Sequence, residues 1–292
     1  MMRMKTVMFK RTAVTVGLMT LLWLLCTLTI PGHSHAAIFF DSDFESCTVG
    51  TNNDFPCEGW NDDGLANASV NGGAGLEVST THALSGTKSV KGTFDNTNGS
   101  SRMPKVFRDF PERTHVFLRF AARYSPGFQY STNGYTKMIR IHGVQGSPTT
   151  WISTYYGNYI IGMEQPYYAG ANVLNSGVRF STTSWDQIEW EYKLNTPGQA
   201  NGLMRLWVNG QLRIEQLNKE YIGPTPTSVG PYGILTPSTL KLSKVQIFVQ
   251  SGFGQIFYDR VAVGDTRIGP AQSKSTSADS TPPASPQGLQ AR

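Results

Sequence analysis

Cysteines, cofactor motifs and helical patterns are all scarce in this chain of 292 residues. Of its three cysteines, Cys47 and Cys57 lack the C-x-x-C spacing or neighbouring histidine typical of zinc sites. The chain contains no P-loop, no dinucleotide-binding glycine fingerprint and no G-x-S-x-G elbow. After residue 30, no apolar i, i+3, i+4 pattern continues for three turns, which excludes a helix-rich fold.

The first 36 residues have the composition of a secretion signal. A basic segment precedes an apolar run that ends at Pro31, and the small residues Ser34 and Ala36 suit cleavage, with Ala37 as a close alternative. Residues 13–30 also approach the length of a membrane-spanning helix, so an uncleaved anchor is the alternative. We expect cleavage, which predicts a secreted, periplasmic or extracellular protein without stable membrane insertion.

The charge of the chain argues against nucleic acid as a partner. The leader carries four of the 25 Lys and Arg residues and no acidic residue. Its removal leaves 21 basic against 20 acidic residues, so the remaining chain is nearly neutral. Its removal also leaves Cys47 and Cys57 as an even pair, and in an exported protein such a pair predicts a disulfide.

The segment from Trp185 to Gly210 predicts two antiparallel strands joined by a loop. Ile188, Trp190 and Tyr192 alternate with polar residues, and this period of two marks a strand with one buried face. Pro197-Gly198 supplies a turn, and a second alternating run ends at the turn Asn209-Gly210.

Similar short runs at similar spacing fill the rest of the chain. They predict an all-β protein, a two-sheet antiparallel β-sandwich over residues 37–269. The Ser- and Pro-rich residues 270–292 have no apolar periodicity and are predicted to form a disordered tail. The predicted strands are 75–79, 88–94, 115–124, 135–142, 150–156, 159–163, 185–194, 203–208, 211–216, 241–249 and 255–263.

Polar side chains share strand faces in several of these segments. In residues 135–143, for example, Arg140 and His142 alternate with isoleucines. Such faces, flanked by aromatic residues, suit an acidic polysaccharide, because Arg pairs with carboxylates bidentately and aromatic rings stack on sugars. The predicted substrate-binding residues are Arg119, Arg123, Trp151, Gln187, Glu189 and Glu191.

The strand pattern, the hairpin TPGQANGLMRLWVNG and the closing FYDRVAVGDTRIG resemble the concanavalin A-like jelly rolls of polysaccharide lyases, including alginate, glucuronan and heparin lyases. The resemblance spans roughly Phe39 to Gly269. Arg140-Ile141-His142 is similar to the Gln-Ile-His motif of one alginate lyase family, with Arg in place of Gln. The Arg-rich strand motif and the late Tyr-Lys-Gly-Tyr-Gln motif of that family are absent.

This resemblance implies β-elimination on a uronate-containing glycan. Such a reaction must neutralise a carboxylate, remove the proton next to it and protonate the leaving oxygen. By analogy, Arg140 would neutralise the carboxylate and His142 would act as the base. Tyr155, which shares strand parity with Trp151, is the predicted acid.

Several alternatives remain open from the sequence. His142 can equally be a strand-end histidine satisfied by the backbone, and Arg119, Arg123 and Arg140 can be cross-strand partners of Glu189 and Glu191. The two glutamates also allow a glycosidase, although the E-x-D-x-x-E signature of jelly-roll glucanases is absent. A non-catalytic carbohydrate-binding module and a structural scaffold are the remaining classes.

No cofactor is expected to be required. A structural Ca²⁺ ion is the one metal that the sequence suggests, because the acidic N-terminal segment in many jelly rolls lies against the last strand. Asp43 and Glu45, with Asp41 beside them, would then meet Asp259, and oxygen ligands suit Ca²⁺. Surface acidity at strand ends is the alternative.

Overall fold

The computed structural model describes residues 37–50, 55–62, 73–96, 104–132, 135–143, 150–155, 160–164, 173–222, 228–229, 234–235 and 241–271. The predicted signal (1–36) and all but the first two residues of the predicted tail (270–292) lie outside these ranges. Within them, no helix is long and apolar enough to cross a membrane.

Strands make up the regular structure of the described residues. Their alternating apolar residues and turn signals explain this outcome, because alternation gives a strand an apolar face that packs into the core. The strands are β1 (Ile38–Ser42), β2 (Asn61–Asp62), β3 (Gly75–Ser79), β4 (Ser89–Asn96), β5 (Lys105–Arg113), β6 (His115–Tyr124), β7 (Gln129–Tyr130), β8 (Tyr135–Gly143), β9 (Thr150–Tyr155), β10 (Ile160–Glu164), β11 (Val173–Arg179), β12 (Asp186–Lys193), β13 (Gly202–Val208), β14 (Gln211–Lys219), β15 (Ser228–Val229), β16 (Ile234–Leu235), β17 (Leu242–Gln250) and β18 (Gly252–Gly264).

Two antiparallel sheets organise these strands. The nine-stranded sheet has the order β14-β13-β12-β6-β18-β4-β3, and β1 and β7 also pair with β18. The seven-stranded sheet has the order β11-β10-β9-β8-β17-β5-β2, and β15 pairs with β16 separately. Neighbours in both sheets are distant in sequence, such as β6 with β18 and β8 with β17.

The core lies between the two sheets. The nine-stranded sheet contributes fully buried residues such as Leu118 and Trp190, and the seven-stranded sheet contributes Ile139 and Val245. The sheets touch directly: the Tyr124 hydroxyl donates to Met138 Sδ at 3.3 Å. The predicted two-sheet antiparallel sandwich is therefore confirmed.

The disulfide between Cys47 and Cys57 is also present, with a Cα–Cα distance of 5.4 Å. It joins the turn after β1 to the segment before β2. Glu58, next to Cys57, accepts hydrogen bonds from the backbone N–H groups of Phe44 (3.2 Å) and Ser46 (3.3 Å) across the same turn.

Candidate functional site

The outward face of the seven-stranded sheet brings together two of the three predicted catalytic residues. In the register of β8 with β17, Arg140 lies opposite Gln246 and His142 opposite Lys244. Ile141 and Val245, which alternate with them, point into the core and are fully buried. Strand alternation therefore places Arg140, His142, Lys244 and Gln246 on one outward patch, which we call the basic patch.

Arg140 is held in place at the centre of the basic patch. Its Nε donates a hydrogen bond to Gln246 Oε1, and its guanidinium lies 4.5 Å from the centre of the Phe248 ring. Burial lowers the pKa of Arg140 to about 10, which still leaves it a cation at neutral pH. The side chain therefore places a positive charge on this face of the sheet.

His142 has one ring nitrogen that carries no proton. Its Nδ1 lies 2.9 Å from the carbonyl oxygen of Gly143. Because a carbonyl can only accept, Nδ1 carries the hydrogen and Nε2 has the free lone pair. Nε2 is buried and has no hydrogen-bond partner among the described residues. Burial, and the neighbouring charge of Arg140, lower the pKa of His142 to about 4, so the ring is neutral at physiological pH.

Lys244 and Asp109 extend the basic patch toward β5, and sequence reasoning missed both. Lys244 Nζ lies 3.3 Å from Asp109 Oδ1 and 4.3 Å from the centre of the Phe107 ring. The alternation of Lys244 and Gln246 with Val245 and Ile247 was the signal that could have identified this face of β17. The lysine adds an ammonium proton donor directly across from His142.

The backbone of β9 places Trp151 and Tyr155 differently. Trp151 lies opposite Arg140, next to the basic patch. Tyr155 lies opposite Tyr135, seven residues before His142 along β8, which corresponds to about 20 Å of strand. Tyr155 therefore lies too far along the sheet to contact the same sugar ring as His142.

The other five predicted substrate-binding residues belong to the opposite face of the sandwich. Strands β6 and β12 pair with each other in the nine-stranded sheet, whereas β8 lies in the seven-stranded sheet. The predicted polar residues therefore do not share one sheet face. Alternation in the sequence determines which residues of a strand point the same way, but it does not determine the sheet to which that strand belongs. The five residues are Arg119, Arg123, Gln187, Glu189 and Glu191.

Most of the charged groups on this opposite face are neutralised locally. Arg119 pairs with Asp41 at 2.8 Å, and Glu189 lies opposite Arg119 in register but contacts Arg267 at 3.3 Å. Glu191 contacts His115 at 2.8 Å and Arg205 at 3.1 Å. Burial alone would raise the pKa of Glu191, but the hydrogen bonds from His115 and Arg205 hold it below its ordinary value.

These contacts weaken the glycosidase alternative. Glu189 and Glu191 are both 4% exposed. The carboxylate of Glu189 also accepts the backbone N–H groups of Ile268 (2.6 Å) and Gly269 (3.1 Å). A glycosidase needs two carboxylates that reach the glycosidic bond. The carboxylates of Glu189 and Glu191 instead form hydrogen bonds and ion pairs with other residues of the protein.

The residues predicted for calcium are also engaged by protein groups. Asp259 accepts the backbone N–H groups of Leu84 (2.7 Å), Ser85 (3.1 Å) and Arg260 (2.7 Å), and Glu45 accepts those of Thr87 and Lys88. Asp43 lies 3.9 Å from Arg260. Across the described ranges, no three His, Cys, Asp or Glu residues cluster as a metal site would require. The calcium site stays a prediction that these contacts do not support.

Comparisons with known proteins identify the fold. No protein-family model and no curated protein matches the chain. A variant of alginate lyase Aly36B in complex with alginate tetrasaccharide superposes with a TM-score of 0.54 at 12% identity, over 78% of this chain and 97% of that chain.

Two further solved structures match with lower scores. Endo-β-1,4-glucuronan lyase from the fungus Trichoderma reesei has a TM-score of 0.49 at 18% identity, over 65% of this chain and 87% of that one. The cellulose-induced protein Cip1 has a TM-score of 0.48 at 16% identity, over 80% and 100% of the two chains. The superposition on Aly36B shows that this chain has the jelly-roll sandwich fold of a polysaccharide lyase.

Proposed function

We propose that this protein is an exported polysaccharide lyase that cleaves a uronate-containing glycan by β-elimination on the basic patch. The observation that carries the proposal is His142, whose unprotonated Nε2 lies on the same face as Arg140 and Lys244. The jelly-roll fold, which Aly36B shares, is consistent with it.

The reaction needs three groups, and the basic patch offers one for each. Arg140 neutralises the uronate carboxylate, which makes the adjacent C5 proton more acidic. His142 Nε2 takes that proton, and the C5–H electron pair forms the C4–C5 double bond as the C4–O bond breaks. The Lys244 ammonium gives a proton to the leaving oxygen. The products are an unsaturated sugar and a new hydroxyl end.

The low pKa of His142 fits this role once the substrate is bound. A pKa of about 4 keeps Nε2 unprotonated and ready to accept a proton at neutral pH. A bound carboxylate adds negative charge beside the ring and offsets the charge of Arg140. The part of the pKa shift that Arg140 causes is then relieved, whereas the larger part, which burial causes, remains.

Lys244 replaces Tyr155 as the acid in this proposal. The resemblance to alginate lyases suggested a tyrosine, but the β8–β9 register separates Tyr155 from His142 by about 20 Å. Lys244 lies in the position opposite His142, and its ammonium lies beside Asp109. The ion pair with Asp109 holds the ammonium group on this face of the sheet.

The proposal also includes export of the protein from the cytosol. The apolar leader predicts a secretion signal, and the Cys47–Cys57 disulfide is typical of proteins that leave the reducing cytosol. A secreted or periplasmic location is also where an enzyme would meet a uronate-containing polysaccharide.

Ultraviolet absorbance tests this function. The purified protein is incubated in turn with alginate, glucuronan, heparin and pectate, and the absorbance of the new C4–C5 double bond is followed. We expect a rise with at least one polymer and a loss of about 10²–10⁴-fold in rate in His142→Ala. His115→Ala is the matched control, because His115 lies in the nine-stranded sheet beside Glu191; its rate should be unchanged.

Two results would refute the proposal. One is equal activity in His142→Ala and the wild type. The other is no absorbance rise together with slower migration of the protein in a polysaccharide gel, which would identify a non-catalytic carbohydrate-binding module.

A further inference from the structure

A row of outward-facing residues crosses the nine-stranded sheet, on the side of the sandwich opposite the basic patch. Arg123 of β6 lies opposite Phe257 of β18, and Phe257 lies opposite Lys91 of β4. Trp185, which is half-buried, directly precedes β12, whose first residue pairs with Ala122. Trp185 therefore lies beside Arg123.

Arg123 is the unusual member of this row. Within the described residues, its guanidinium makes no hydrogen bond or ion pair, and its Nε is buried without a partner. Arg119, four residues earlier on the same face, pairs with Asp41, and Lys91 pairs with Glu77. A buried N–H that lacks an acceptor costs free energy, and the side chain as a whole is only half-buried, so an anionic ligand can reach the guanidinium.

His82 supplies a second donor beside Arg123. Its ring packs edge-to-face on Phe257 with a centroid distance of 4.8 Å. Burial and the charge of Arg123 together lower the pKa of His82. The Phe257 ring therefore brings His82 and Arg123 to the same part of the sheet.

The loop that carries His82 is fixed before any ligand arrives. The Ser89 hydroxyl donates to the carbonyl oxygen of His82, and Asp259 accepts the backbone N–H groups of Leu84 (2.7 Å) and Ser85 (3.1 Å). A binding group that is already positioned loses little entropy when it binds. The pair of donors is therefore preorganised on the sheet.

We infer that Arg123 and His82 form a second glycan-binding site that takes the carboxylate of an acidic sugar, with Trp185 against the sugar ring. A guanidinium and an imidazole can share one carboxylate, and an aromatic side chain beside them selects a sugar over a bare anion. This site goes beyond the proposed lyase activity, because it lies on the other sheet and has no catalytic role. It would hold a long polymer while the basic patch acts on another part.

Side-chain NMR of the full chain tests this inference. The Nε–H signal of Arg123, assigned by its loss in Arg123→Lys, is followed during titration with sodium glucuronate, glucose and sodium sulfate. We expect a saturable shift with glucuronate only, at a dissociation constant of about 1–10 mM. His82→Ala should weaken binding several-fold. The Nε–H signal of Arg213, which contacts Gln211 on β14, is the control and should not move.

Three outcomes would overturn the inference. They are no shift with glucuronate, an equal response to sulfate that marks an adventitious anion site, and parallel shifts at Arg123 and Arg213. Lyase activity is not part of this readout. Failure here would leave the proposed function intact, and failure of the absorbance assay would not change the shift expected at Arg123.

Discussion

His142 has a single tautomer in this structure because the carbonyl oxygen of Gly143 accepts only from Nδ1. This contact agrees with the alternative of a backbone-satisfied histidine, but it satisfies only one nitrogen; the other is buried and has no partner among the described residues. The sequence could predict that Arg140 and His142 share a face, because strand parity is local. It could not predict Lys244 as a neighbour, since that contact joins strands about a hundred residues apart.

Lys244 is the most direct single-residue test of the acid role. Lys244→Ala should lower kcat by about 10²–10⁴-fold, because the leaving oxygen loses its proton donor, while KM changes little. Lys241→Ala is the matched control, since Lys241 is exposed and contacts Glu112 at 3.6 Å. Steady-state kinetics on the active polymer measures both. Unchanged kcat in Lys244→Ala would remove this residue from the mechanism.

Asp259 should make stability depend on pH. Burial raises its pKa to about 7, although three backbone N–H groups and Arg260 favour the charged form. The pKa in the unfolded chain is about 3.9. Because the folded state holds the proton more tightly, the stabilising contribution is complete below about pH 4 and is lost as the pH rises to about 7.

Urea unfolding between pH 4 and pH 8 measures this contribution. In Asp259→Asn, the free energy of unfolding should depend less on pH between 4 and 7 than in the wild type. If Asp259→Asn keeps the pH dependence of the wild type, Asp259 does not titrate as described.

Strand β5 shows why the sequence analysis missed part of the site. The five charged residues of Lys105–Arg113 do not alternate with apolar residues, so the segment lacks the pattern of a half-buried strand. Pro111 within it also argues against a strand. The proline is tolerated because β2, the described strand on this side of β5, pairs only with Val106 and Phe107 and does not extend to Pro111. Asp109 and Phe107, which contact Lys244, come from this strand and were missed with it.

The carboxylate of Glu189 binds the segment after β18 to the nine-stranded sheet. Glu189 accepts the backbone N–H groups of Ile268 and Gly269. It also accepts a hydrogen bond from Arg267, whose guanidinium lies 4.6 Å from the centre of a Trp207 ring. Glu189→Gln should destabilise the fold by about 1–3 kcal/mol, because a buried acceptor for three donors loses its charge.

Hydrogen exchange locates this effect. The amides of Ile268 and Gly269 should exchange faster in Glu189→Gln, while those of β8 should not change. Glu215→Gln, which removes the exposed partner of Arg205, is the control. Unchanged protection at Ile268 and Gly269 would show that Glu189 does not hold the segment.

The assembly of strands into two sheets is the property that the sequence least determined. Alternation and turn residues indicated most strands and the all-β class, because both are local signals. The pairing of β6 with β12 and β18, and of β8 with β17, joins distant residues. For this reason Arg119 and Glu189 could not be separated from Arg140 and His142 by sequence alone.

The disulfide should contribute measurably to the stability of the whole domain. The link between Cys47 and Cys57 closes a short loop, which by chain entropy stabilises by about 2–3 kcal/mol. The double variant Cys47→Ser, Cys57→Ser should therefore lower Tm by roughly 4–12 °C. Thermal unfolding with and without reductant measures this: the wild type should respond to reductant and the double variant should not. Equal Tm values for both proteins would contradict the prediction.

Removal of the C5 proton of a uronate by the basic patch is the step on which the proposed function depends. The most direct measurement is NMR of the products formed from a uronate oligomer deuterated at C5. We predict a vinylic H4 signal at the new non-reducing end and loss of the C5 deuterium to solvent, both absent in His142→Ala. Saturated ends that retain deuterium would indicate hydrolysis, and uncleaved oligomer would indicate binding without catalysis; either result would contradict elimination at the basic patch.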